Sequence, residues 1–329
     1  MEAEILSMEN ILVNFAEQIK EGYALGQKIK VTNSASSIVI AGMGGSALPG
    51  ELLRSYLIDL KIPIFVVKDY QLPNHVNSNT LVFSISYSGN TVEVLETFKL
   101  AYRKGCHTVV LASGGKLIDL AKDKDSEYVE LPPGLPPRMA YGYMFSAILR
   151  ILENSGIIES QQKNIEKVYS LLKNAQAFKD KASDFILPLL EKTPLIYTSS
   201  SLSAIGYKWK INFNETAKRH AFCNVFPEMN HNELMGFLDE NKNYFVFFIK
   251  DESDDKAISE RISLTKQLLK KNKIDSAEIN LTGTSRLSKI LSAVYIGDWL
   301  AYLLALKQGT DPEAVVLIED LKKKMRQSS

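Results

Sequence analysis

The chemistry-bearing residues of this chain are densest in KINFNETAKRHAFCNVFPEMNHNELMGF, residues 210–237, where amides, acids and a histidine crowd among apolar side chains. Polar groups in apolar surroundings have displaced pKa values, as general acid–base work requires. Glu215 and His231 stand out as the groups that could move protons. A blander account makes Glu215 a helix-surface ion-pair partner of Lys218 or Arg219, and His231 a hydrogen-bonded structural histidine.

Two further stretches could hold an anion. GMGGSALPG, residues 42–50, follows a β-rich run and precedes a helical one, so backbone N–H groups converge where the helix dipole favours negative charge. SISYSGNTVEVLE, residues 84–96, places the hydroxyls of Ser86, Ser88 and Thr91 around Gly89 at the start of another helix, a phosphate cradle that needs no lysine. The alternative is a helix cap, with Ser88 or Thr91 as the capping residue. Arg138, in PPGLPPRMAYGY, is a guanidinium on a proline-stiffened loop, preorganised for an oxyanion unless it is simply a surface arginine. Lys307, in LALKQGTDP, sits where a lysine would also complement the end of a helix capped by Gly309.

Other chemistries find less support. Gly42, Gly44 and Ala47 fit a loose dinucleotide fingerprint, but the acid expected about 20 residues on would have to be Asp69, which lies too late and follows Lys68. Glu228, His231 and Glu233 cluster in sequence, yet no second histidine stands at helical spacing and no cysteine pair accompanies them, so no metal is expected. No GxSxG elbow is present for a serine triad.

The elements that must position these residues follow from periodicity. Residues 4–30 have helical spacing of Ile5, Leu6, Ile11, Leu12, Phe15 and Ile19. Then SSIVIAGM, IPIFVVKD, NTLVFSIS and HTVVLAS alternate with GELLRSYLI and TVEVLETFKLAYRKG, the pattern of a parallel sheet covered on both faces. A helical region runs from about Tyr141 to Leu190 after the proline cluster LPPGLPPR. From Thr193 the strand–turn–helix pattern restarts with TPLIYTSSSLSAIGYK, then NYFVFFIKD, DSAEINLTG and the long apolar helix SRLSKILSAVYIGDWLAYLLALKQG. The expectation is an α/β protein of two doubly wound parallel-sheet domains: 1–150 with the leading helix, 151–192 as a helical connector, and 193–329 with the C-terminal helices. The second half repeats the pattern of the first without repeating its sequence.

Composition narrows the class. The 329 residues carry 39 Lys and Arg against 38 Asp and Glu, so no excess charge is available to hold nucleic acid or an acidic membrane surface. No run reaches the roughly 18 uninterrupted apolar residues of a membrane span, and the first residues mix acids into their apolar positions, unlike a signal or transit peptide. Cys106 and Cys223 are the only cysteines, which suits a reducing, cytoplasmic setting.

GMGGSALPGELL, SYSGNTVEVLE, PPGLPPRMAYGYM, FNETAKRHAFCNVFPEMNHNELMGF and the KQGTDP segment together resemble the bifunctional phosphoglucose/phosphomannose isomerase family. The resemblance covers most of the chain. It implies two sugar isomerase (SIS) domains of flavodoxin-like winding, no metal or other cofactor, and interconversion of glucose 6-phosphate and mannose 6-phosphate with fructose 6-phosphate through a cis-enediol. By motif, the family's glycine loop matches Gly44, Gly45 and Ser46, and its phosphate hydroxyls match Ser86, Ser88 and Thr91. Its enediolate-stabilising arginine matches Arg138, its base Glu215, its ring-opening histidine His231 and its C-terminal lysine Lys307. The resemblance further implies a homodimer in which His231 serves the neighbouring subunit's site. A family threonine associated with mannose 6-phosphate has no counterpart between Trp299 and Leu306. A phosphosugar-sensing protein without turnover would keep SYSGNT and dispense with Glu215 and His231. An amino-sugar phosphate isomerase would share the enediol logic, and the chain shows no amidotransferase domain to supply ammonia.

Overall fold

The computed structural model describes residues 7–31, 34–238 and 243–327. The leading amphipathic pattern folds as two helices, α1 (Met8–Val13) and α2 (Phe15–Leu25), and positions 4–6 lie outside the described residues. Asn14 separates them, its Nδ2 donating to the Asn10 carbonyl at 2.8 Å. Asparagine side chains compete in this way with the helix's own hydrogen bonds. Ile11, Leu12, Phe15 and Ile19 are buried, as their spacing requires.

Strand and helix then alternate: β1 (Ser37–Gly42), α3 (Leu48–Tyr56), β2 (Ile64–Val67), β3 (Thr80–Ile85), α4 (Val92–Arg103), β4 (His107–Ala112), α5 (Gly115–Asp123) and β5 (Glu127–Glu130). The strands form one parallel sheet in the order β2-β1-β3-β4-β5. β1 and β3 are buried at every position, the consequence of helices on both faces. β5, with the sequence EYVE, buries only Val129, too little to be read from an apolar pattern. The chain leaves β1 for one side of the sheet and β3 for the other, so the ends of β1 and β3 flank the reversal point where such sheets bind ligands.

The helical region that follows is four helices: α6 (Tyr141–Asn154), α7 (Gln162–Leu172), α8 (Ala175–Ser183) and α9 (Ile186–Leu189). Helix α6 runs through residue 150, so the boundary expected there falls inside a helix buried along most of its length.

The second half comprises β6 (Thr193–Ser199), α10 (Ser203–Glu215), β7 (Phe222–Phe226), α11 (Met229–Asn232), β8 (Tyr244–Lys250), α12 (Lys256–Lys271), β9 (Asp275–Asn280), α13 (Arg286–Lys307) and α14 (Val316–Gln327). Its parallel sheet runs β7-β6-β8-β9, the winding of the first sheet without its last strand. The repeated pattern is thus a repeated topology. β7 is an edge strand within the polar stretch 210–237, and its residues are mostly half-buried, which hides it from periodicity.

Helix α13 starts at a capping box between Ser285 and Ser288. By length and mean hydropathy, 1.4, it could cross a membrane, but 83% of that stretch is buried inside the protein, which makes it a core helix. Trp209 of α10 packs against it where Gly297 leaves room: a Cβ there would lie 2.3 Å from the indole Nε1, which donates to the Ala293 carbonyl at 2.8 Å. One continuous apolar cluster joins Ile38 and Phe83 of the first sheet to Ile196 and Phe247 of the second through α2, α6, α10 and α13.

Candidate active site

The glycine loop, the hydroxyl loop, Arg138 and Glu215 gather around the ends of β1 and β3. After Gly42 a single turn, Gly44–Ala47, leads into α3, with Gly44 at φ +51°. Gly45 lies directly on the loop that carries Arg138. A Cβ at Gly45 would stand 2.5 Å from the Arg138 nitrogen, so backbone meets backbone there. The buried Ser46 Oγ accepts from the Tyr87 N–H at 3.1 Å, which joins the glycine loop to the next strand-end loop.

That second loop is braced from within. The buried Ser86 Oγ donates to Thr91 Oγ1 at 2.8 Å and accepts from the Thr91 N–H at 3.3 Å. Gly89 turns the chain at φ +67°, and a Cβ on it would come within 1.8 Å of the Gly114 carbonyl oxygen, so only glycine fits. Thr91 stands at the N-terminus of α4 without capping it through its side chain, and the exposed Ser88 Oγ accepts from the Asn90 N–H at 3.4 Å. The hydroxyls are therefore spent on shaping the loop rather than on capping α4. The amino end of α4, with Ser88 and Thr91 beside it, has the form of an anion cradle. Tyr87 turns the other way: its OH donates to the Pro132 carbonyl at 2.6 Å and accepts from the Leu135 N–H at 3.0 Å, pinning the proline loop ahead of Arg138.

Arg138 is buried, with 2% of its side chain exposed. Its Nε donates to Thr216 Oγ1 at 3.0 Å and its Nη2 to the Pro312 carbonyl at 2.7 Å, while Nη1 lies 3.5 Å from Glu215 Oε2. Burial pulls the guanidinium's pKa below its ordinary value, opposed by the negative charges of Glu215, Glu313, Asp298 and Asp311. Glu215 ends α10 with 25% of its side chain exposed, facing a fixed cation on one side and solvent on the other. The ion pair with Lys218 or Arg219 does not form. Lys218 Nζ donates to the Glu215 main-chain carbonyl at 2.7 Å, and Arg219 donates to the carbonyls of Leu189, Leu190 and Lys192. Lys218 has a lowered pKa, from burial first and from the neighbouring Arg138 second.

The KQGTDP segment closes the same corner through Pro312, and Gln308 Nε2 donates to the Ala217 carbonyl at 3.1 Å, tying the end of α13 to the turn after Glu215. Lys307 itself is exposed, as is His231 on the short α11, and neither side chain has a hydrogen-bond or ion-pair partner among the described residues. No described contact joins His231 to Glu215 or Arg138. The carboxylates beside His231 turn elsewhere: Glu228 accepts from Asn232, and Glu233 accepts from the Tyr197 OH and Asn224 Nδ2. A cavity of about 450 Å³ between α2, α6 and α7, lined by Lys20, Tyr23 and Arg150, contains none of these residues.

Residues 178–325 match the family described as the bacterial phospho-glucose isomerase C-terminal SIS domain. A bifunctional phosphoglucose/phosphomannose isomerase of Caldicellulosiruptor bescii is 36% identical over 95% of this chain and 97% of its own. The chain belongs to the bifunctional phosphoglucose/phosphomannose isomerase family. Another member, from Aquifex aeolicus, is 34% identical over 88% of this chain and 90% of its own. Beyond the family, the crystal structure of glucosamine-6-phosphate deaminase from Thermotoga maritima superposes with a TM-score of 0.68 at 17% identity, covering 92% of this chain and 96% of that one. That likeness is one of fold.

In this isomerase-family chain the sequence motifs point to Arg138 and Glu215 but not to the groups that fix them. Thr216 and the Pro312 carbonyl hold the guanidinium, and Tyr87 ties the two loops to the proline segment. Tyr87 lies between Ser86 and Ser88, and Thr216 follows Glu215, so adjacency to a motif is the signal that marks them.

Proposed function

We propose that the protein interconverts glucose 6-phosphate and mannose 6-phosphate with fructose 6-phosphate through a cis-enediol. The observation that carries this reading is the partly exposed carboxylate of Glu215 beside the buried guanidinium of Arg138, on a corner shared with the glycine loop. Ser86, Ser88 and Thr91 hold the 6-phosphate at the start of α4. His231 opens the cyclic sugar, assisted by Lys307. Glu215 takes the proton from C2 of the aldose, and the C–H electron pair becomes the C1–C2 double bond as the C1 carbonyl pair moves onto O1. Glu215, its proton exchanging with solvent, then delivers a proton to C1 while the O2 hydroxyl proton passes to O1 and C2 becomes the ketone carbon. Negative charge on the enediolate oxygens meets Arg138 and the amides of Gly44, Gly45 and Ser46. Proton transfer of this kind contributes about 100- to 10,000-fold, and each good electrostatic donor about 100- to 1,000-fold. A turn about C2–C3 before proton transfer lets one base serve both C2 epimers.

The same reading takes the protein as a cytoplasmic homodimer of two SIS domains joined by a helical connector. Exposed His231, without a partner among the described residues, supports its service to the neighbouring subunit's site. The test is a coupled assay of the EDTA-treated protein on fructose 6-phosphate, following both aldose phosphates separately. Formation of both is expected. Glucose 6-phosphate alone would restrict the substrate range and give weight to the missing threonine before Lys307, and formation of neither would favour a sensing protein.

A further inference from the structure

Beneath the proposed site lies a second charged cluster that the reaction scheme does not use. Lys208 and Asp298 are fully buried, 0% and 1% exposed at the side chain, and their charged ends form an ion pair between α10 and α13. Asn212 Nδ2 donates to Asp298 Oδ1 at 2.7 Å, and Tyr141 OH donates to Oδ2 at 2.7 Å. Lys208 Nζ also donates to Asn212 Oδ1 and stands 4.6 Å from the centre of the Tyr141 ring. Both carboxylate oxygens are thus occupied, and the lysine has its countercharge, an amide and an aromatic face.

Burying a lone ion pair gives little net stability, because desolvation offsets most of the attraction. What this cluster gives is register. The three donors to Asp298 come from segments that each carry a residue of the proposed site. Lys208 and Asn212 precede Glu215 on one face of α10, at spacings of seven and three. Tyr141 opens α6 three residues after Arg138. Asp298 itself lies on α13, whose last residue is Lys307. Beside the pair, Trp209 fits against Gly297, so α10 and α13 cannot slide there without a clash. The cluster is also coupled to the site by charge: Glu215 and Asp298 both act electrostatically on Arg138 and on Lys208, and Arg138 acts on Lys208.

We propose that Asp298, with its donors Lys208, Asn212 and Tyr141, is a positioning residue that sets Glu215 against Arg138 for proton transfer. The inference rests on the isomerase reading above. Displacement of about 1 Å at a reacting group costs on the order of 100-fold in rate, so the cluster acts on kcat through the placement of Glu215 and leaves the phosphate loop untouched.

The test compares the wild type with Lys208→Met/Asp298→Asn, which removes both charges together and leaves neither buried alone, and with Tyr141→Phe, which removes a single donor. Turnover of fructose 6-phosphate and thermal unfolding are measured for each. The double variant is expected to unfold near the wild-type temperature, with kcat lowered about 10- to 100-fold and KM nearly unchanged. Tyr141→Phe is expected to lower kcat several-fold. A folded double variant with wild-type kcat overturns the proposal, as does a raised KM at constant kcat. Should the double variant not fold, Tyr141→Phe decides by the same two criteria. A wild type that turns over no sugar phosphate removes the isomerase reading and this inference with it, whereas an active wild type with a fully active double variant removes the inference alone.

Discussion

Glu215 Oε2 lies 3.5 Å from Arg138 Nη1, a separation that couples the two charges without closing a hydrogen bond. The arginine's other hydrogen bonds go to Thr216 and Pro312, so it is fixed whether or not Glu215 moves. Among the described residues the carboxylate accepts no hydrogen bond from its helix neighbours, which on the proposed mechanism leaves it able to turn toward a substrate carbon.

Replacing the carboxylate by its amide isolates this role. Glu215→Gln keeps the shape and removes the proton acceptor, and kcat for fructose 6-phosphate is expected to fall about 100- to 10,000-fold, with KM changed little. Arg138→Lys keeps a charge but loses the fork that reaches Thr216 and Pro312 together, and a kcat loss of about 100-fold is expected. Steady-state kinetics of both variants check this.

Gly89 separates binding from chemistry. A Cβ there meets the Gly114 carbonyl oxygen at 1.8 Å, and φ is +67°. Gly89→Ala is expected to displace the Ser86–Thr91 loop and raise KM for sugar 6-phosphates about tenfold or more, at a stability cost of about 1–3 kcal/mol. Competition by inorganic phosphate should weaken in parallel, which inhibition measurements read directly.

Subunit mixing tests the placement of His231. The Glu215→Gln and His231→Ala proteins are each expected to be nearly inactive. If each site draws its histidine from the neighbouring subunit, each mixed dimer has one intact site, and statistical exchange restores about one quarter of wild-type turnover. A mixture that stays inactive after exchange would place His231 in its own chain's site or outside the reaction.

Glu278 ties the second sheet to α12 by pairing with Lys250 of β8 at 2.8 Å and Lys266 of α12 at 3.0 Å. The hydrogen bond from Lys250 is the main cause that holds its carboxyl below the ordinary glutamate value. A carboxylate with a lowered folded pKa adds stability above its unfolded pKa, and that stability is lost as pH falls through the folded value. Glu278→Gln is therefore expected to be less stable by about 0.5–1 kcal/mol at pH 7, as partly exposed pairs are. The difference should shrink as pH falls below the ordinary glutamate value, about 4.3, and vanish once pH is below the lowered folded value. Thermal unfolding of both proteins across pH checks the convergence.

Much of this architecture was legible in the sequence because its strands are buried on both faces. SSIVIAGM and NYFVFFIKD read as strands without alternation, and the glycine and hydroxyl loops that follow strands read as strand-end turns. β5 and β7 were not legible: both are edge strands, β5 buries a single apolar residue, and β7, apolar in composition, is mostly half-buried and shows no clear burial pattern. The break at Asn14 was also hidden, because helical spacing continues across it. Within the site, Arg138 announced itself through its prolines. Its partner Pro312 lies 174 residues away, a contact that no local pattern can convey. Lys208 and Asp298 read as ordinary polar positions, and only the packing of α10 on α13 shows that both are buried.

The central claim is that Glu215 carries the proton between C1 and C2. Its most direct test is conversion of fructose 6-phosphate in deuterated water by the wild type and by Glu215→Gln, with the label followed at C1 of the ketose and C2 of the aldose. The account predicts deuterium at these carbons in the wild type and its loss, about 100-fold or more in rate, in the variant. Exchange at the wild-type rate in Glu215→Gln would contradict it.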